Sequence, residues 1–90
     1  MNKKIAVVVS GRQDEALRMS IGLTLADDAV DVFFVDRKLS KNKDNLLNLE
    51  TGKELGIHVY SNCENNENVE YLSMGELANK LITYDHVLPY

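Results

Sequence analysis

Apolar and polar positions along this chain alternate between short unbroken apolar runs and longer amphipathic stretches. Ile5-Ala6-Val7-Val8-Val9 lies between Lys4 and Ser10-Gly11, and Asp31-Val32-Phe33-Phe34-Val35-Asp36 repeats the design. Runs that do not alternate predict strands covered on both faces, as in a parallel sheet. Joining two such strands takes a crossover of a dozen or more residues, so residues 12 to 28 are expected to form the helix of a βαβ unit. On a helical wheel, Ala16, Met19, Leu23 and Ala26 form one stripe, and Leu17, Ile21 and Leu25 form a second on roughly the opposite side. One stripe would cover the sheet. The other is expected to meet another subunit, with a neighbouring helix or loop as the alternative cover.

The lysine-rich stretch Arg37 to Asp44 reads as a solvated loop. Asp44 or Asn45 is expected to cap a helix carrying Leu46, Leu47, Leu49 and Leu55, with Gly52 weakening its middle. Gly56 closes that helix, and Ile57 to Tyr60 form a strand that ends on Ser61-Asn62-Cys63. Residues 64 to 68 are too polar for core and read as a loop or a ragged turn of helix, and Val69 to Leu72 form a short strand. Ser73-Met74-Gly75-Glu76 matches a capping box, with Leu72 and Leu77 at the positions of a hydrophobic staple. The helix through Leu77, Ala78, Leu81 and Ile82 is spaced to bury one face, and His86-Val87-Leu88 closes the chain as a strand whose Pro89 suits a sheet edge. The order β-α-β-α-β-β-α-β predicts one domain over residues 1–90, an α/β fold. It is a three-layer flavodoxin-like sandwich with a mostly parallel five-stranded sheet, expected in strand order 2-1-3-4-5.

Composition narrows the function more than the fold. The chain is 44% hydrophobic and 27% charged with one proline, a globular balance. A net charge of −4 disfavours DNA and anionic membranes, both of which select basic surfaces. No apolar run approaches a membrane span of about 20 residues. A single cysteine allows no internal disulfide, and with no leader-like segment the expected location is the cytoplasm.

That cysteine is the chief chemical lead. In the expected strand order the first and third strands adjoin, and the gap between their carboxyl ends is where ligands collect. Ser10, Gly11 and Arg12 would line it from one side, Asn62 and Cys63 from the other. A thiolate there is a strong nucleophile that can also hold sulfane sulfur. Arg12 and the first helix's dipole favour the thiolate, while Glu64 and Glu67 oppose it. His58 and His86 read as structural, Asp36 as a ligand contact or a turn cap. The two histidines and one cysteine lack metal-ligand spacing, and no phosphate-cradling glycine pattern occurs, so neither metal nor cofactor is expected.

Taken in order, the Lys4-to-Val9 strand, the helix Glu15 to Leu23, Val32-Phe33-Phe34-Val35-Asp36 and the closing stretch Glu76 to Leu88 resemble the DsrE/DsrF-like family of small sulfur-relay proteins, which includes the Tus proteins of thiouridine synthesis. The resemblance covers nearly the whole chain. It implies a flavodoxin-like fold and assembly with itself or related subunits into dimers, trimers or hexamers. It also implies a cysteine at the end of the third strand that takes persulfide sulfur from a donor protein and passes it to an acceptor. Cys63 matches that position. The expected function is therefore a sulfur carrier or sulfurtransferase-type subunit, and the alternative is a non-catalytic interaction subunit of the same fold with an inert thiol.

Overall fold

In a computed structural model, the described residues are 3–26, 29–36, 42–64 and 69–90. The elements are β1 (Lys4–Val9), α1 (Gln13–Leu25), β2 (Ala29–Phe34), α2 (Lys43–Glu54), β3 (His58–Ser61), β4 (Glu70–Tyr71), α3 (Met74–Leu81) and β5 (His86–Pro89). All strand pairings are parallel, giving a three-layer α/β sandwich of the flavodoxin-like class. The alternation of buried positions sorts the sheet into two faces. Ile5, Val7, Val9, Val30, Val32, Phe34, Ile57 and Val59 pack with Ala16, Leu17 and Leu49 from α1 and α2. Ala6, Phe33 and Tyr60 pack on the other face with Leu77 and Tyr84 of the α3 region.

The strand order is β4-β3-β2-β1-β5, not the expected 2-1-3-4-5. The physical reason is burial. An edge position would expose the apolar run of β2, whereas the centre buries Val30, Val32, Phe33 and Phe34 almost completely. The edges go to the strands that tolerate solvent, the two-residue β4 and the mostly exposed β5. Because connections between parallel strands are right-handed, the progress β1 to β3 places α1 and α2 on one face, and the return from β4 to β5 places α3 on the other. Pro89 lies on the outer strand as expected. Tyr90 N–H bonds Val8 O at 2.7 Å, so the neighbouring Pro89 nitrogen points outward, where its missing proton leaves no ladder bond broken.

Several local expectations also change. Asn42, not Asp44 or Asn45, caps α2: its side chain accepts the Asn45 N–H. Gly52 is buried where α2 meets the start of β3: its carbonyl accepts the Ile57 N–H at 2.9 Å, and a Cβ there would touch the Ile57 side chain at 3.4 Å, an ordinary contact. Gly56 follows at φ 90, a left-handed turn that suits glycine. In α1 the sheet-facing set is Ala16, Leu17 and Ser20, with the Ser20 hydroxyl bonded to Ala16 O at 2.7 Å. Leu17 thus crosses from the second stripe to the buried face. Met19, Ile21 and Leu23 are half-buried against the same core, and Leu25 is 72% exposed. In α3, Leu77 is buried and Leu81 half-buried as expected, but Ala78 and Ile82 face solvent, Ile82 at 80%. The capping box forms as read, with both Ser73 and Glu76 bonds present, and Leu72 and Leu77 pack in one cluster. Arg37, Lys38, Lys41, the pair Asp27-Asp28 and residues 65–68 lie outside the described residues.

Candidate functional site

β2 lies between β1 and β3, so Ser10-Gly11-Arg12 and Asn62-Cys63 stand about 10 Å apart across two strand spacings and do not face one another over a single gap. The expected crevice resolves into two places on the carboxyl edge of the sheet.

The first is built on the ends of β2 and β3. Cys63 follows Ser61 and Asn62 directly and is half-buried. Its N–H donates to Ser61 Oγ at 3.1 Å, and its Sγ lies 3.9 Å from Asn62 Oδ1. Both polar neighbours are uncharged. Asn62 is held from the side: its Oδ1 accepts Asp36 N–H at 2.7 Å, while its Nδ2 donates to Asp36 Oδ1 at 3.1 Å and lies 3.6 Å from Met74 Sδ. Asp36 sits at φ 60, the only non-glycine residue at positive φ among those described. Asp and Asn tolerate that conformation better than other side chains, and the paired bonds to Asn62 compensate it. Asp36 therefore clamps Asn62, and the turn after it, which it was read as capping, lies outside the described residues. Two exposed apolar residues adjoin the neighbours of Cys63: Met74 touches Asn62, and Tyr71 is in register with Ser61.

The second place lies between β1 and β5, where the strand order reverses. Ser10 and Gly11 are exposed, and a Cβ on Gly11 would meet Tyr90 O at an ordinary 3.6 Å, so no close approach demands glycine there. Arg12 is 71% exposed; its guanidinium pairs with Glu15 at 3.5 Å and lies 5.7 Å from the Tyr90 ring centre. Such an exposed pair contributes little to stability. Arg12 is thus committed to this second place and has no contact with Cys63.

A third cluster, which the sequence did not reveal, occupies the amino half of the α3 face. Tyr84 O–H donates to Asp31 Oδ2, and Asp31 Oδ1 accepts His58 N–H at 3.2 Å. Phe33 stacks on Tyr60 at 5.1 Å and meets Tyr84 edge-on at 5.6 Å; the ammoniums of Lys4 and Lys80 lie over Tyr84 and Tyr60 at 4.7 and 5.0 Å. Burial first, then the Asp31 carboxylate, pushes both phenol pKa values up. Both tyrosines are held neutral, Tyr84 as a donor to Asp31 and Tyr60 by packing in the aromatic cluster. His58, read as structural, gives its backbone N–H to Asp31 at 3.2 Å, and its exposed ring stacks on Tyr60 at 6.3 Å.

Among the described residues no cluster of His, Cys, Asp and Glu is arranged to hold a metal, and no helix is long and apolar enough to cross a membrane. No family model, curated protein or solved structure matches this chain.

Proposed function

We propose that this protein is a cytoplasmic sulfur carrier of the DsrE-like kind, with Cys63 as the carrying residue. The observation that supports the reading is the placement of the chain's one thiol, half-buried at the carboxyl edge of a parallel sheet two residues past the end of β3. The Cys63 thiolate attacks the outer sulfur of a donor persulfide; the new bond joins Cys63 Sγ to that sulfur, the donor S–S bond breaks, and the donor leaves as thiolate. An acceptor thiolate then attacks the outer sulfur on Cys63, and Cys63 is returned as thiolate. Both steps exchange one S–S bond for another with no net oxidation. Asn62, clamped by Asp36, orients the sulfur. Ser10, Gly11 and Arg12 contact the donor or acceptor away from the sulfur.

Mass spectrometry after incubation with a persulfide donor tests this. The expected result is an adduct of one sulfur atom on the wild type and none on Cys63→Ser. An adduct that persists on Cys63→Ser removes Cys63 from the mechanism, and its absence from the wild type leaves the non-catalytic interaction subunit as the reading.

A further inference from the structure

We propose that a second copy of this chain docks on the outer face of α2 in a two-fold, antiparallel arrangement. The buried side of α2 carries Asn45, Leu49 and Gly52. At about 100° per residue, Lys43, Leu46, Leu47 and Glu50 fall together on an arc of about 100° turned away from that side. Leu46 is 41% and Leu47 61% exposed, two adjacent leucines that a solvated helix surface has no internal reason to present. On the Leu46 side the arc opens into a groove of about 450 Å³ lined by Leu46, Leu49, Glu50, Lys53 and Glu54.

The charges select the occupant. Lys43 lies three residues before Leu46, and Glu50 lies three residues after Leu47. Both are exposed, and neither has an ion-pair partner among the described residues. A two-fold interface requires the same patch to be its own complement, with residue i meeting j and j meeting i. Antiparallel pairing centred between Leu46 and Leu47 does this: the leucines of the two copies meet at the middle, and Lys43 of each copy faces Glu50 of the other. A partner of unrelated sequence has no reason to match a Lys-x-x-Leu-Leu-x-x-Glu spacing read backwards. One helix face of 12 residues is small beside a standard interface of about 800 Å² per partner, so the association is weak and concentration-dependent. It does not rest on the thiol chemistry, and Cys63→Ser leaves it unchanged.

Sedimentation velocity over a wide concentration range, with circular dichroism to confirm folding, tests the proposal on the full chain. The wild type is expected to move from monomer toward dimer as concentration rises. Lys43→Glu alone and Glu50→Lys alone each create two like-charge contacts, and each is expected to weaken self-association at least about tenfold. In an equimolar mixture of the two variants, a copy acidic at both positions meets a copy basic at both. Each contact then joins opposite charges again, and dimerisation is expected to return. A wild type that stays monomeric, single variants that associate as the wild type does, or a mixture that stays monomeric each overturns the proposal.

Discussion

At the level of single residues, two side-chain pairs carry more than their positions suggest. Tyr84 donates to Asp31 across the α3 face, so Tyr84→Phe leaves one oxygen of that carboxylate without its donor while the other keeps the His58 N–H. The expected cost is about 1–3 kcal/mol in urea denaturation, and a variant as stable as the wild type would show that Asp31 is satisfied otherwise. The pH dependence has a definite sign. Tyr60 and Tyr84 have folded pKa values above the ordinary phenol range, so their contribution is complete below about pH 10, the unfolded value, and is lost as pH rises beyond it. Ultraviolet titration should find these two phenols ionising only together with alkaline unfolding. Asn62 is the second case. Its amide joins the ends of β2 and β3 through Asp36, and Asn62→Ala should cost about 1–2 kcal/mol and loosen that corner, read as faster amide exchange at Asp36.

At the level of elements, α3 shows how far local sequence can specify structure. Its first turn is settled by Ser73 and Glu76, which satisfy each other's backbone N–H groups at 3.1 and 3.2 Å. Ser73→Ala should cost about 1 kcal/mol. The Ser73 backbone and hydroxyl bonds hold the Glu76 carboxyl below its ordinary value. A depressed folded pKa gives stability that is present above the unfolded value and lost as pH falls through the folded one. Acid should therefore weaken the helix start, and Glu76→Gln should remove that part of the pH dependence in a circular-dichroism titration. The first helix shows the opposite limit. Its two apolar stripes were legible, but which residues face the sheet depended on where α2 came to lie beside it.

At the level of the whole molecule, β2 is the spine. Phe33 is fully buried in the central strand and touches both Tyr60 and Tyr84. Phe33→Ala should cost about 3–5 kcal/mol, a large share of the about 5–15 kcal/mol available to a domain of ordinary stability. Thermal unfolding should show a greatly lowered midpoint, and a small shift would mean that the core repacks around the gap. The same central placement parts Arg12 from Cys63, because a strand that must be buried on both faces cannot be left at an edge. Sequential neighbours β1, β2 and β3 therefore pair in order, and the reversal falls between β1 and β5.

The order of residues alone was enough for whatever depends on neighbours a few positions away: the succession of strands and helices, the capping box of α3, the exposed proline of β5, and the arrival of Cys63 just past a strand. Those follow from periodicity, backbone propensity and short-range hydrogen bonds. Contacts across the fold set the strand order, the clamp of Asp36 on Asn62, the Tyr84–Asp31 bond and the company Arg12 keeps. Each of these joins residues far apart in the chain, and which distant strands adjoin is settled by the total apolar surface that an arrangement hides from water, a property no single segment carries.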